Sequence, residues 1–307
     1  MRIGTSAVET SGDQALSKLA DQLRRAADDG FSSAWMANIF GLEALTSLAV
    51  AGSQVPGIEL GTAVVPTYPR HPAVLAQQAL TAALAVGPGR LQLGIGLSHQ
   101  IVIENMYGYS FDKPARHMRE YLSVLLPLLD GTPANVDGST LSAHIGLSVP
   151  RAGRVPVLLA ALAPRMLSLA GEQTDGTVLW MTGPATIRDY VVPALSAAAS
   201  AAGRPSPRVV CILPVCVTDD PAAARASATQ ELAIYGQLPS YRAMLDREGA
   251  AGPGDVAIAG DEDTVAAQIL ALADTGVTDF VAAEIARGED RKRTRDLLKA
   301  IIAGKMG

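Results

Sequence analysis

The sequence contains little cysteine, and this scarcity bears on the compartment and on metal binding. The 307-residue chain has two cysteines, Cys211 and Cys216, five positions apart in a β-like apolar run. An odd separation along a strand places two side chains on opposite faces, so these thiols neither pair with each other nor bind one metal together. We therefore predict no disulfide framework, no metal site and a cytoplasmic location.

Charged residues are also scarce, and their balance does not favour a polyanionic partner. They make up 18% of the chain, and the formal net charge is −5. A mildly acidic chain lacks the positive potential with which proteins bind nucleic acid or anionic membranes. No apolar stretch reaches the roughly 18 residues that span a bilayer, and Met1–Ser6 lacks the apolar core of a signal peptide. We expect neither nucleic acid nor a membrane as a partner.

Several catalytic signatures are missing as well. The chain has no P-loop, no H-E-x-x-H zinc motif and no G-x-S-x-G nucleophile elbow. A doubly wound dinucleotide-binding sheet would call for a G-x-G-x-x-G turn after its first strand, and Thr5–Gly12 does not contain one. The G-x-G at a strand end, Gly94-Ile-Gly96, lies in mid-chain and lacks the third glycine. These absences disfavour the common nucleotide-binding and hydrolytic classes.

The chain does contain a regular alternation of short β-branched runs with longer segments rich in alanine and leucine. Most of the runs are continuously apolar, which is typical of parallel strands buried on both faces. Eight such alternations predict an α/β fold, a (β/α)8 TIM barrel with loop insertions, as a single domain over residues 1–307. The predicted strands are Arg2–Val8, Ala34–Ala37, Ile58–Val65, Leu91–Gly96, Val155–Leu162, Thr177–Met181, Val209–Thr218 and Phe280–Ile285. The predicted insertions, where glycine, proline and serine cluster, are Leu97–Lys113, Gly131–Arg154 and Gly236–Gly260.

In such a barrel the site lies at the carboxyl ends of the strands, and several of these ends carry a specific pattern. The most specific segments are GTAVVPTYPRHP (Gly61–Pro72), RLQLGIG (Arg90–Gly96), AALAPR (Ala160–Arg165) and DGTVLWMTG (Asp175–Gly183). In this order and spacing they resemble the bacterial luciferase-like flavin and deazaflavin superfamily, and within it the coenzyme F420-dependent oxidoreductases of actinobacteria. The resemblance extends over nearly the whole chain.

The resemblance implies a cofactor, coenzyme F420 or alternatively FMN. In the family, a non-prolyl cis peptide bond lies behind the cofactor ring, and it matches Ala63 and Val64 here. The cofactor phosphate lies on backbone N–H groups after strand five, where small residues and a helix N-terminus with proline in its first turn also suit an anion. The matching positions are Ala161, Leu162, Ala163, Pro164 and Arg165. The next loop, which closes over the phosphate side, matches Met181, Thr182 and Gly183.

Residues near the cofactor ring are the predicted catalytic groups. The resemblance places Gly96 and His99 at the end of strand four, and we expect Asn38, at the end of strand two, to contact the ring. Asn38, His99 and Tyr107 are therefore the predicted catalytic residues. A helix-capping role for His99 and simple loop packing for Tyr107 are open alternatives. Glu104 is a further candidate acid or base, although an exposed loop carboxylate needs burial to shift its pKa.

Two features depart from the family pattern. Many members carry an Asp-His or Glu-His pair after strand two, with the histidine acting in proton transfer, whereas this chain has Asn38 followed by Ile39. Isoleucine cannot carry a proton, so alcohol oxidation that needs this histidine is disfavoured, and a hydride-donating reductase, or one with another acid, is favoured. The phosphate loop also has alanine where several relatives have glycine.

The function expected from the sequence is that of an F420-dependent oxidoreductase. It would transfer a hydride between C5 of the deazaflavin and a small organic substrate, usually as a homodimer. The substrate is expected to enter over Ser98–Phe111 and Gly236–Gly254. Two alternatives stay open: an FMN-dependent luciferase-like monooxygenase on the same scaffold, and a non-catalytic barrel that binds a ligand. The few aromatic residues at strand ends and in the insertions, such as Trp180, are expected as walls of the site.

Overall fold

The computed structural model describes residues 1–7 and 11–306, and within them a closed parallel barrel. The strands are β1 (Arg2–Ser6), β2 (Ser33–Met36), β3 (Glu59–Thr62), β4 (Val65–Pro66), β5 (Leu91–Gly96), β6 (Ala134–Asp137), β7 (Ser142–Ile145), β8 (Val157–Leu159), β9 (Gly176–Trp180), β10 (Arg208–Val217), β11 (Ile258–Gly260) and β12 (Asp279–Glu284). Eight of them, β1, β2, β3, β5, β8, β9, β10 and β12, pair in parallel in this order, and β12 pairs back with β1. The predicted (β/α)8 TIM barrel is confirmed, and each of the eight predicted strands is present. The last residue of the first predicted strand, Val8, lies outside the described residues.

Helices follow the strands, and most of them cover the outside of the barrel. They are α1 (Ala15–Asp28), α2 (Ala44–Gly52), α3 (Pro72–Val86), α4 (Pro114–Leu129), α5 (Pro164–Gln173), α6 (Pro184–Thr186), α7 (Val192–Ala201), α8 (Pro221–Glu231), α9 (Ala233–Gln237), α10 (Pro239–Glu248), α11 (Glu262–Ala271) and α12 (Gly288–Ile302). Their starts follow local chemistry. Pro72 begins α3 behind His71, whose Nδ1 accepts from the N–H of Ala73 (3.3 Å), and the Asp261 carboxylate caps α11. Among the described residues, no helix is long and apolar enough to cross a bilayer.

Two apolar layers hold the barrel together. The outer and larger layer lies between strands and helices, and it takes up side chains such as Leu19 and Leu23 from the buried face of α1. The inner layer fills the barrel itself with the large side chains of alternate strand positions. Its members are Trp35, Leu158, Val178, Val210, Ile212 and Val281. All six residues of β5 are buried, including Gln92, whose side chain accepts from Arg208 (3.1 Å).

The third predicted insertion, Gly236–Gly260, is more regular than expected. It contains α10, a short 3-10 turn and β11, and β11 joins the barrel sheet along Val215–Val217 of β10. The reason is the length of β10, which pairs with β9 only as far as Ile212 and therefore leaves its carboxyl half without a neighbour on that side. The second insertion folds as the antiparallel β6–β7 hairpin. The first contains a single π-helical turn, Val102–Met106.

Candidate active site

A large cavity opens at the carboxyl ends of the barrel strands. Its volume is about 1310 Å³, and it is bounded by the ends of β5, β8 and β9, by the loops that follow them, and by α9 and α10. Parallel strands all end at the same face, so the loops after neighbouring strands converge there. The predicted site residues on its wall are Ala63, Val64, Gly96, His99, Leu162, Ala163, Pro164 and Arg165. One cavity therefore brings together predicted residues from three separate segments of the chain.

The floor of the cavity is a backbone bulge between β3 and β4. The peptide bond between Ala63 and Val64 is cis, at the position that the resemblance implies. The buried Thr62 hydroxyl fixes the bulge to the next strand, because it donates to the carbonyl of Gly94 (2.8 Å) and accepts from the N–H of the same residue (2.9 Å). Val64 then faces Gly96, where a Cβ would lie 2.7 Å from Val64 Cγ2. Only glycine at position 96 leaves this floor open.

The start of α5 lies on the cavity wall and has unpaired backbone donors. Ala163 is the N-cap residue, its methyl side chain cannot cap the helix, and Pro164 occupies the first turn. The backbone N–H groups of Ala163 and Arg165 donate to no acceptor in the part of the chain that the structure describes. Unpaired donors and the positive end of the helix dipole make such a terminus a site for an anion. Ala161 is fully buried behind this turn, and it supports the turn without lining the cavity.

The next loop, Met181–Gly183, does not line the cavity, which departs from the expectation that it closes over a phosphate. Met181 and Thr182 are buried, and the Thr182 hydroxyl donates to the carbonyl of Trp180 (3.2 Å). The N-terminus of α6 is already capped from α10. The Glu248 carboxylate accepts from the N–H groups of Ala185 (3.1 Å) and Thr186 (2.7 Å), and a Cβ on Gly183 would collide with it.

The three predicted catalytic residues occupy different environments. His99 is half-buried on the cavity wall, and burial lowers the pKa of its imidazole below the usual value, so the ring is neutral at neutral pH. Asn38 lies off the wall, because its Oδ1 accepts from the N–H of Ala44 (3.0 Å) at the start of α2. Tyr107 also lies off the wall and is 41% exposed. Ile39, at the family's histidine position, is 54% exposed.

Three further residues line the wall: Tyr241, which the sequence did not single out, and Trp180 and Glu104, which it did. Tyr241 of α10 lines the cavity, with its ring 5.6 Å from that of His99 and 5.1 Å from that of Tyr235. Trp180 lines it from β9 and packs edge-on against Tyr235 (5.8 Å). Glu104 also lines it, but its carboxylate accepts from the side chain of Gln100 (2.9 Å) and from the N–H of Phe111 (3.3 Å). The sequence signal for Tyr241 was its place in an insertion expected over the site.

Tyr68 belongs to a packed cluster beside the cavity. Its ring stacks on His117 at 4.0 Å and 9°, and His117 Nε2 lies 3.1 Å from the Thr67 hydroxyl. Burial lowers the pKa of His117 to about 4, and the nearby Glu120 carboxylate raises it by a smaller amount. Burial, followed by the charges of Asp112 and Glu104, raises the pKa of Tyr68 to about 12. The cluster is therefore uncharged at neutral pH and has a packing role.

The architecture and the cis bulge agree with one protein family. The sequence profile of the luciferase-like monooxygenases matches residues 1–279. The chain belongs to the luciferase-like monooxygenase family. It is an oxidoreductase of the luciferase-like class, and the resemblance seen in its strand ends is confirmed at the level of the family.

Similar proteins extend over almost the full chain. A 5,10-methylenetetrahydromethanopterin reductase of Methanolobus tindarius is 26% identical over 316 residues, 93% of this chain and 95% of the relative. The structure of the coenzyme F420-dependent tetrahydromethanopterin reductase of Methanopyrus kandleri superposes with a TM-score of 0.81 at 23% identity, over 100% of this chain and 99% of the other. The structure of the oxygenating component of 3,6-diketocamphane monooxygenase from Pseudomonas putida, in complex with FMN, superposes with a TM-score of 0.75 at 17% identity. The superposition covers 100% of this chain and 99% of the other. The fold is thus common to F420- and FMN-dependent enzymes.

Proposed function

We propose that the protein is an F420-dependent oxidoreductase that transfers a hydride between the deazaflavin and a small organic substrate, acting as a reductase. The observation that carries the proposal is the meeting, in one cavity, of the bulge at Ala63 and Val64 with the unpaired donors at the start of α5. A flat ring system joined to a phosphate needs both features at opposite ends of one site. The similarity to proteins named as methanopterin reductases, one of them F420-dependent, supports the same proposal.

The cavity fits such a cofactor in size and in chemistry. Its volume of about 1310 Å³ exceeds the roughly 300–1,000 Å³ of ordinary ligand pockets, which leaves room for a cofactor and a substrate together. Ala63 and Val64 would support the ring from behind, and the absence of a side chain at Gly96 keeps the adjacent floor open. The N–H groups of Ala163 and Arg165 would bind the phosphate. When bound, deazaflavin supplies a two-electron carrier, and the protein supplies position and proton control.

The residue at the family's histidine position disfavours alcohol oxidation, and on that ground we propose the reductive direction. Oxidation of an alcohol calls for a base that accepts the hydroxyl proton, and Ile39 at the family's histidine position has no such group. His99 is neutral at neutral pH because burial lowers its pKa, so it can donate an N–H hydrogen bond but holds no extra proton. It is suited to orient a polar substrate atom in the cavity. Apolar side chains such as Ile212 and Leu238 would exclude water around the reacting carbon.

FMN is the second candidate cofactor, because the structurally similar camphane monooxygenase component holds FMN. A titration of the purified protein with F420 and with FMN, followed by fluorescence, separates the two. We expect F420 to bind more tightly. Tighter binding of FMN would overturn the proposal in favour of a flavin monooxygenase, and binding of neither would favour a non-catalytic barrel.

A homodimer also stays a proposal. The apolar helices α2 and α3 expose Val50 (42%), Val74 (49%) and Leu84 (41%), which is the kind of surface that a second copy would cover. Sedimentation equilibrium would measure the mass of the particle, and a monomer at micromolar concentration would contradict the proposal.

A further inference from the structure

The wall formed by α10 and the loop after β5 carries two polar side chains that the protein leaves without a partner. Tyr241 and His99 both line the cavity, and their ring centres lie 5.6 Å apart. Neither the Tyr241 hydroxyl nor a ring nitrogen of His99 forms a side-chain hydrogen bond within residues 1–7 and 11–306. Two neighbouring hydrogen-bonding groups on one wall are thus available to a ligand.

Packing and hydrogen bonds fix the position of Tyr241. Its ring packs edge-on against Tyr235 (5.1 Å), which in turn packs edge-on against Trp180 of β9 (5.8 Å). Towards the far end of α10, the Glu248 carboxylate accepts from backbone N–H groups of α6 and holds the helix against the barrel. The hydroxyl is therefore held in a defined place, as recognition of one substrate atom requires.

Other polar groups in and beside the cavity differ from this pair. The hydroxyls of Tyr68 and Tyr121 also lack a partner, but packing buries them, whereas the Tyr241 hydroxyl stays accessible. The carboxylate of Glu104 lines the cavity and already accepts two hydrogen bonds from neighbouring residues. A ligand in the cavity therefore reaches the Tyr241 hydroxyl without breaking a bond inside the protein.

Both groups are uncharged donors at neutral pH. Burial lowers the pKa of the His99 imidazole, while burial, followed by the effect of Tyr235, raises the pKa of Tyr241. The imidazole therefore carries one N–H, and the phenol keeps its O–H. Apolar side chains such as Ile212 and Leu238 line the same cavity. Uncharged donors beside an apolar wall suit an uncharged acceptor, because a carboxylate or phosphate binds more strongly to a cation.

We infer that the Tyr241 hydroxyl and the N–H of His99 together bind one carbonyl oxygen of the substrate, which is a ketone, an aldehyde or a conjugated carbonyl compound. The inference rests on the proposed function and deepens it, because it names the group that is recognised. During the proposed hydride transfer the electron pair of the C=O bond moves onto the oxygen, which then takes a proton from water. Two donors at that oxygen stabilise the developing negative charge. They would supply this stabilisation in a chain that has Ile39 at the family's histidine position.

The test uses two probes of nearly equal shape, acetophenone and α-methylstyrene, in which a CH2 group replaces the carbonyl oxygen. Saturation-transfer NMR measures their affinity for the full-length protein, with and without saturating oxidised F420, which cannot reduce the ketone. α-Methylstyrene is the more apolar probe, so burial alone favours it. We expect acetophenone to bind more tightly instead, because each hydrogen bond contributes roughly two- to tenfold to affinity.

Variants assign the preference to the two side chains. Tyr241→Phe removes the hydroxyl and keeps the ring, and His99→Phe removes the N–H. Each should weaken the binding of acetophenone by about two- to tenfold and leave that of α-methylstyrene unchanged. His99→Gln, which restores an N–H donor, should recover part of the loss. The matched control Tyr109→Phe removes a hydroxyl from an exposed tyrosine off the cavity wall and should change neither affinity.

The possible outcomes separate the inference from the proposed function. Equal losses of affinity for both probes in Tyr241→Phe would assign Tyr241 to packing alone and overturn the inference. A wild type that binds F420 but shows no preference for the ketone, or binds neither probe, would overturn it as well. Failure of F420 to bind, with the ketone preference intact, would instead overturn the proposed function and leave the two donors as a carbonyl-binding site.

Discussion

Arg208 and Asp279 join two neighbouring strands at the amino-terminal end of the barrel through a pair of hydrogen bonds. Nε donates to Oδ2 (2.8 Å) and Nη2 to Oδ1 (2.7 Å), and the Asp279 side chain is only 2% exposed. The same guanidinium donates to Gln92 (3.1 Å) and Glu59 (3.0 Å). One arginine therefore ties together four strands at the end of the barrel opposite the cavity.

Replacing Asp279 by asparagine should destabilise the fold strongly. The variant Asp279→Asn leaves the Arg208 cation beside a neutral amide that cannot accept two charge-assisted bonds, and the free energy of unfolding should fall by about 3 kcal/mol. Urea unfolding followed by circular dichroism would measure it. The control is Asp246→Asn, which breaks the exposed pair with Arg242 and should cost about 0.3–0.5 kcal/mol. Similar losses in the two variants would contradict the central role of the Arg208 network.

A methyl group at position 96 should close the cavity floor. In Gly96→Ala, the new Cβ would lie 2.7 Å from Val64 Cγ2 and 3.2 Å from the Ala160 Cβ. We expect loss of F420 binding and a fall in unfolding free energy of about 1–3 kcal/mol, because the floor cannot shift without moving the bulge. Gly146→Ala is the control, since its Cβ would meet Pro133 at an ordinary 3.5 Å. Unchanged cofactor affinity in Gly96→Ala would show that the ring does not lie on this floor.

An aspartate at position 163 should change stability and binding in opposite directions. Ala163 is the N-cap of α5, so the carboxylate of Ala163→Asp would cap the helix and raise the unfolding free energy by about 1 kcal/mol. The same carboxylate would occupy the donors and repel a phosphate, so cofactor binding should be lost. Ala163→Asn caps without charge and separates the two effects, because it should retain more affinity than the aspartate variant. Unchanged cofactor affinity in Ala163→Asp would remove the phosphate from this turn.

Stability should depend on pH through His117. Its pKa in the folded state is about 4, below the ordinary value of 6.5, so between these values the unfolded chain binds the proton more readily. The contribution of His117 is therefore complete above pH 6.5 and is lost as the pH falls towards 4. His117→Gln should flatten the unfolding free energy over this interval. A curve that keeps the wild-type slope would mean that His117 is not protected in the folded state.

The barrel could be predicted because most of its strands are recognisable from their own local sequence pattern. Continuous apolar runs such as Val209–Val217 are buried on both faces, and eight strand-like runs alternating with helices leave few other architectures. The strand β11 gave no such signal, since Ile258-Ala-Gly260 is three residues long and pairs only because β10 extends past β9. Its existence depends on a neighbour more than 40 residues away, which a local pattern does not contain.

The sequence indicated at which end of the barrel the site residues lie. It did not indicate which of their side chains face the cavity. A strand end determines at which end of the barrel a residue lies, and His99 and Ala163 both line the cavity there. Whether a side chain at that end turns inward depends on local bonds. Asn38 turns away to the N–H of Ala44, and the N-terminus after Met181–Gly183 is capped by Glu248. The resemblance supplied the cis bond, because no local propensity distinguishes Ala63 and Val64 from their neighbours.

The carboxylate of Glu248 has a consequence for how substrate preference can change. Glu248 and Tyr241 lie seven residues apart on α10, or about 10 Å along its axis, so one end of a single helix is fastened to the barrel while the other forms the cavity wall. Residues around Tyr241 can therefore be exchanged while the fastening at Glu248 keeps the helix in place. The residue that holds α10 against the barrel is thus different from the residue that lines the cavity. Substitutions around Tyr241 can therefore change substrate preference without loss of the fold.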